Sequence, residues 1–412
     1  MYRGRLPRTA AFYLQASIMV SFLAGSSAPT PLYAHYQAEW GFSSITTTVV
    51  FGSYALAVLA ALLTVGSLSD HVGRRPVLLI ATVVQAATMM VFAFAGGVPT
   101  LLAARVVQGL ATGAAAGAIG AGLLDLHRDR GTVANAVAPV LGTATGAIGS
   151  GLLVQYLPFP ARLVYLVLLA TFVLQAVGVA LMPETAAARP GALASLRLHF
   201  GLPAAARGPL LIAVPALVAV WALAGFYGSL GPALVDGIVG SDSAVLGGLA
   251  LFVLAASAGA SVLVLRTCAA RRLMTIGASA LVLGVGITVV AVSATSTAGF
   301  FLGTAVSGVG FGAGFQGAIH SVVPLAEPHE RAGVLSVVYV VSYLALGLPA
   351  VIGGFLAVYA GGVRTTAQEY GGAIMALAVA ALVGSAVRSR ADRIGGRGRL
   401  AVCETAQVPE IR

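Results

Sequence analysis

Runs of roughly 20 consecutive apolar residues, separated by short polar connections, recur along nearly the whole of this 412-residue chain. An α-helix rises about 1.5 Å per residue, so roughly 20 residues cross the ~30 Å hydrocarbon layer of a bilayer. In lipid no water pairs with exposed backbone groups, so each run has to satisfy its own N–H and C=O groups as a helix. Composition agrees: 58% of residues are hydrophobic and 9% charged, against about 25% charged in a soluble globular chain. The expectation is an all-α membrane protein.

The runs predict six helices over 10–33, 44–66, 76–95, 99–124, 132–157 and 162–182. A polar stretch, 183–208, follows, and six more helices are predicted over 209–234, 244–265, 273–291, 298–324, 333–359 and 366–387. The division expected is a first bundle over 1–182, a linker over 183–208, a second bundle over 209–388 and a tail over 389–412. Arg3, Arg5 and Arg8 ahead of the first run resemble the start of a signal peptide. No convincing small-residue cleavage site follows, so the run reads as the first membrane helix.

The formal net charge is +10, and every one of the 23 basic residues is an arginine. A nucleic-acid interface would gather them on one soluble face; here they occupy the short connections. Loops that hold most Arg stay on the cytoplasmic side. With both termini inside, all but Arg105, Arg162 and Arg364 fall on that side. The absence of lysine and the dominance of Ala, Gly and Val fit a GC-rich bacterial gene, and hence a bacterial inner membrane. Cys268 and Cys403 fall on the inner side, where thiols stay reduced, so no disulfide framework is implied.

Weak repeats recur about 200 residues apart. Gly117-Ala118-Ile119-Gly120 answers Gly317-Ala318-Ile319-His320, Asp129-Arg130 answers Glu330-Arg331, and Arg74-Arg75 roughly answers Arg271-Arg272. Their order predicts two related six-helix halves with a solute site between them near the bilayer midplane. In the linker, Leu193, Leu196 and Phe200 share one side and Arg197 another, which fits either a short surface helix or an unstructured tether.

After the second run stands Gly66-Ser67-Leu68-Ser69-Asp70-His71-Val72-Gly73-Arg74-Arg75-Pro76. This resembles the signature of the major facilitator superfamily, and Arg105-Val106-Val107-Gln108-Gly109 is similar to a second element of that family. Met182-Pro183-Glu184-Thr185 also looks familiar for it. The resemblance implies two pseudo-symmetric six-helix bundles and a secondary transporter whose halves rock about a central site. It implies a cytoplasmic gate at Gly66, Asp70, Gly73, Arg74 and Arg75, with Asp125 as ion-pair partner of Arg74. The same arginines also serve as topology signals.

The family's cavity is lined by the first, fourth, seventh and tenth helices. The candidates for the substrate pathway there are Gln15, Arg105, Gln108, Trp221, Tyr227, Phe315, Gln316 and His320, with Tyr339 and Tyr343 from the eleventh helix. Packing or interhelical hydrogen bonding is the alternative for each. Gly308, Gly312, Gln316 and His320 recur every four residues and share a face, read here as pore-facing. A buried guanidinium costs at least ~2.5 kcal/mol unless it meets water or a partner, so Arg105 is expected to point toward the pathway or to snorkel to the outer interface. His320, placed well inside a span, is the candidate for proton coupling, because imidazole ordinarily titrates near neutral pH.

The expected function is export of a small hydrophobic or amphipathic molecule against proton entry, an antiport. The alternative is an uptake permease, a proton symporter, for a small organic anion or other metabolite. The first helix has no Asp or Glu, and the fifth lacks the Gly-Pro pair of the family's antiporters, though Gly142, Gly146, Gly149 and Gly151 favour close helix packing. His35, His71, His127, His199, His320 and His329 are scattered, without a His-Glu-x-x-His element, and a chain without lysine has no Gly-x-x-x-x-Gly-Lys phosphate loop. No enzymatic activity, cofactor, metal or nucleic acid is expected. The expected partners are the solute, protons and lipid, and the expected state is a monomer.

Overall fold

In the computed structural model the described residues are 6–196, 201–240, 243–327 and 330–405, with side chains as far as Arg388. Arg3, Arg5, Arg197, His199, Phe200, His329 and Arg412 lie outside the described residues. All regular structure among the described residues is helical. Twelve helical stretches are long and apolar enough to cross a membrane.

The first half contains α1 (Arg8–Ser27), a 3₁₀ turn (Thr30–Leu32), α2 (Tyr33–Trp40), α3 (Ser44–Val65), the single turn α4 (Ser69–Val72), α5 (Arg74–Ala93), α6 (Val98–Leu126), α7 (Arg128–Tyr156) and α8 (Pro160–Leu181). The second half contains α9 (Ala204–Ser229), α10 (Gly231–Val239), α11 (Ala244–Val264), α12 (Ala270–Ser293), α13 (Thr297–Val322), α14 (Arg331–Tyr359) and α15 (Gly362–Thr405).

Three boundaries differ from the sequence reading, each for a local reason. The first span does not stop at Tyr33 but turns through an elbow and continues as α2 to Trp40. Pro29 and Pro31 lack the N–H groups that a straight helix would use there. The seventh span begins at Ala204 and breaks after Ser229, ahead of Pro232, before resuming as α10. In the linker, the described part of the proposed surface helix is one 3₁₀ turn, Ala194–Leu196. Its Ser195 carbonyl accepts from the Ser67 hydroxyl at 3.1 Å, while Leu193 stays exposed.

Each half has its own apolar core. In the first, Phe22, Phe92, Tyr165 and Phe172 are fully buried among α1, α5 and α8. In the second, Phe226, Tyr227, Phe300 and Tyr370 fill the space among α9, α13 and α15. The halves meet most closely along α7 with α11 and α3 with α14. There a side chain at Gly248 would stand 2.4 Å from the Ala147 carbonyl oxygen, and one at Gly354 would stand 2.1 Å from the Thr48 hydroxyl. Lipid gives apolar side chains no reason to associate, so such backbone proximity supplies the attraction through packing.

The glycines of α7 separate packing positions from open ones. A side chain at Gly146 would fall 2.3 Å from the Ala24 carbonyl oxygen of α1, whereas Gly149 has nothing within 4 Å. Gly146→Leu is expected to cost at least about 1–3 kcal/mol, read as a lower thermal midpoint in detergent. Gly149→Ala is expected to stay within about 0.5 kcal/mol of the parent.

Candidate functional site

Arg105 lies one turn or two inside the start of α6, at the end of the bundle opposite the paired arginines of the α4–α5 junction, and it is fully buried. Its guanidinium donates to the Ser26 carbonyl at 2.8 Å, the Gln108 amide oxygen at 2.8 Å and the Tyr33 hydroxyl at 2.6 Å. The rings of Tyr33 and Tyr54 flank it at 5.8 and 5.3 Å. Charge-assisted bonds of this kind are worth about 1.5–3 kcal/mol each, enough to offset the ~2.5–3.5 kcal/mol cost of the charge in the membrane. The ion pairs described in the molecule bring no carboxylate to it. The sequence reading left open an inward-pointing or an outward-snorkelling arginine; the structure encloses it instead, because carbonyls and phenols wrap it.

Gln108 works on the same stretch of α1, donating to the Gly25 carbonyl at 2.9 Å. Tyr33 and Tyr54 were absent from the sequence candidates. A buried arginine requires acceptors and ring faces, but nothing in their spacing says which tyrosines reach it.

Across the junction the second half presents aromatic rings. Trp221 of α9 meets Phe311 and Phe315 of α13 at 5.7 and 5.4 Å between centroids, and Tyr343 of α14 at 5.5 Å. Phe51 and Ala55 of α3 pack with Leu346 and Ala350 of α14, and Trp221 and Tyr343 rest on that cluster. The aromatic wall of the second half thus rests on α3 of the first, the helix whose Tyr54 flanks Arg105. The Trp221 indole N–H has no protein partner.

Other pathway candidates stand elsewhere. Gln15 is buried within the first half, its amide 3.2 Å from the Met182 sulfur. Tyr227 hydrogen-bonds Thr304 at 2.8 Å and stacks on Phe300, inside the core of the second half. The face carrying Gly308 and Gly312 packs against α11 rather than lining a pore. Side chains there would fall 2.4 and 2.3 Å from the carbonyl oxygens of Leu254 and Ala258. Gln316 has a buried amide oxygen without a protein partner, and Tyr339 is partly buried on α14. His320 is exposed in the last turn of α13, within a candidate span that continues through a 3₁₀ turn, Val323–Leu325.

At the arginine-rich end, the Arg74 guanidinium pairs with Asp70, donates to the Ser69 hydroxyl at 2.8 Å and meets Asp125 at 3.4 Å. Arg75 donates to the Ala180 carbonyl of α8. Gly73 turns the chain at φ +105°, a region costly for a side chain. The residue that organises this loop is one that sequence reasoning did not assign, Glu184. Its carboxylate accepts from the backbone N–H groups of Arg74 at 2.8 Å, Arg75 at 3.1 Å, Thr185 at 2.9 Å and Ala186 at 3.0 Å. It therefore caps the exposed start of α5, where the helix dipole favours an anion. The Met-Pro-Glu-Thr run held that signal, without saying which helix it would cap. Glu184→Ala is expected to lower stability by about 1–3 kcal/mol, the cost of amides left unpaired. Glu184→Gln, whose carbonyl still accepts, should recover part of the thermal midpoint.

A profile of the Major Facilitator Superfamily matches residues 16–269. A fungal relative, the MFS-type transporter mpsC of Macrophomina phaseolina strain MS6, is 35% identical over 167 residues, which make up 39% of this chain and 32% of that protein. The chain thus matches about a third of that relative's length. The solved nucleoside transporter NupG superposes with a TM-score of 0.69 at 14% identity, covering 92% of this chain and 98% of that one. A bacterial homologue of the human lysosomal transporter Spinster, solved inward-facing, gives 0.70 at 13% identity, covering 92% and 95%. The human organic anion transporter MFSD10 gives 0.61 at 18% identity, covering 91% and 100%. By its profile match over more than half its length, the chain belongs to the Major Facilitator Superfamily.

Proposed function

We propose that this protein is a secondary active transporter that exports a small hydrophobic or amphipathic molecule, coupled to proton entry, by alternating access between its two halves. It works as a monomer in a bacterial inner membrane with both termini in the cytoplasm. Residues 1–182 and 209–388 act as the rocking units, with 183–208 as their tether.

The observation that supports a hydrophobic or amphipathic solute is the contrast at the centre of the molecule. The second half offers an uncharged wall of Trp221, Phe311, Phe315 and Tyr343, while the Arg105 charge is enclosed by its own acceptors. Flat ring faces reward apolar area, and the unpaired indole N–H gives one donor to an acceptor on the solute. The second reading, uptake of an organic anion, draws on the missing carboxylate beside Arg105: a solute carboxylate would supply it once Tyr54 moved aside. The similar structures are a nucleoside transporter and an organic anion transporter, so their fold does not choose between solutes.

Reconstituted vesicles tested with a panel of neutral aromatic, cationic and anionic solutes decide between the readings. Trp221→Ala is expected to reduce flux of neutral amphipathic solutes by at least about tenfold, the equivalent of ~1.4 kcal/mol, and an imposed pH gradient is expected to drive it. Anion flux abolished by Arg105→Ala and indifferent to Trp221→Ala would establish the second reading instead. His320→Gln tests the proton route, for flux that keeps its full response to the gradient removes this residue from coupling.

The α4–α5 loop is the proposed inner gate. Asp70→Asn removes the charge that holds Arg74. It is expected to lower turnover by about tenfold at normal membrane insertion; unchanged turnover counts against the gate.

A further inference from the structure

We propose that the Thr30 hydroxyl is the latch that closes the end of the molecule opposite the arginine-rich loops, and that Arg105 is a positioning residue that holds the latch in place. The inference rests on the alternating-access reading above and gives it a specific gate.

It starts from prolines. In a continuous helix the carbonyl of residue i accepts from the N–H of residue i+4, and proline has none. Pro29 therefore orphans the Gly25 carbonyl, and Pro31 orphans that of Ser27. In the second half, Pro232 orphans the Gly228 carbonyl at the break between α9 and α10. The two breaks stand at corresponding places in the two halves, at the ends of their first helices. An unpaired carbonyl in a buried site is costly, so each must find another donor.

The donors are side chains. Gln108 serves the Gly25 carbonyl left by Pro29 at 2.9 Å, and at the same elbow Arg105 takes the Ser26 carbonyl at 2.8 Å and Ser150 of α7 that of Ala28 at 2.6 Å. The Gly228 carbonyl of the second half is served from the first half: Thr30, fully buried within the elbow, donates to it at 2.9 Å. One half thus fills a vacancy left by a proline in the other. The bond can break when the halves part, since neither partner is otherwise needed to hold its own helix together.

Arg105 spans the elbow. It grips Ser26 before the turn and Tyr33 after it, so one planar guanidinium fixes both limbs around Thr30. This assigns the element Arg105 to Gly109 a mechanical task that does not require it to touch solute. The crevice beside the latch is bordered by Tyr33, Gln37 and Thr47 on one side and Ser229, Pro232 and Ala233 on the other.

The test is a distance. Spin labels at Gln37→Cys and Ala233→Cys, on the full chain with Cys268→Ser and Cys403→Ser, report the separation of the two rims by pulsed electron resonance in nanodiscs. The parent should show a dominant short distance. Thr30→Val, nearly the same shape but without the donor, should raise the long-distance population at least about fivefold, as expected for a buried carbonyl losing its bond. Thr30→Ser should restore the parent distribution. Arg105→Lys and Tyr33→Phe should shift it in the same direction as Thr30→Val, each in protein that elutes as a single species. A parent-like distribution in Thr30→Val overturns the latch. A shift in Arg105→Lys with none in Tyr33→Phe overturns the positioning role. Since no solute is present, these distances stand or fall separately from the identity of the substrate and the direction of transport.

Discussion

The constraint on which this structure depends is that a backbone group inside a bilayer has no water to fall back on. Twelve helices satisfy it along most of their length by bonding within themselves. Where Pro29 and Pro232 interrupt the ladder, Gln108 and Thr30 donate to the carbonyls left over, and Arg105 and Ser150 serve two more carbonyls at the first elbow. Three of these bonds tie the first half together. The fourth crosses to the second half, from the Thr30 hydroxyl to the Gly228 carbonyl.

The same constraint explains how the centre can hold an arginine without a carboxylate. The Ser26 carbonyl at the elbow, the Gln108 amide oxygen and the Tyr33 hydroxyl accept from the guanidinium, and the rings of Tyr33 and Tyr54 flank it. With that charge enclosed, the surface left for a solute is chiefly aromatic. Under the proposed function, discrimination would rest on shape and ring stacking more than on charge, unless the tyrosines around Arg105 withdraw.

Much of the fold was legible because lipid writes a strong signal: runs of a helix's length, arginines confined to alternate connections, and a loop from Gly66 to Pro76 whose glycines and charges have few other uses. What the sequence did not disclose were relations between distant segments. The face with Gly308 and Gly312 reads equally as a pore stripe or as a packing seam, since both want small residues at every fourth position, and contact with α11 decided for packing. Tyr33 sat at the expected end of a helix, and only the elbow turns it back over Arg105. Glu184 lay in a recognisable run, yet capping a helix more than a hundred residues away is not a local property.

Glu184 also marks where the first half hands over to the connecting segment. From it the chain runs on to Arg189, whose N–H donates to the His71 carbonyl at 2.8 Å, and to Ser195, bonded to Ser67. The connector is thus fastened to the α4–α5 loop before it reaches α9. Movement of that loop would pull directly on the strand leading to the other bundle, and tension in the strand would be felt at the loop. If that loop is the inner gate proposed above, the covalent connection would act as a drawstring whose first knots are tied there, its anchoring limiting how far the two bundles could separate.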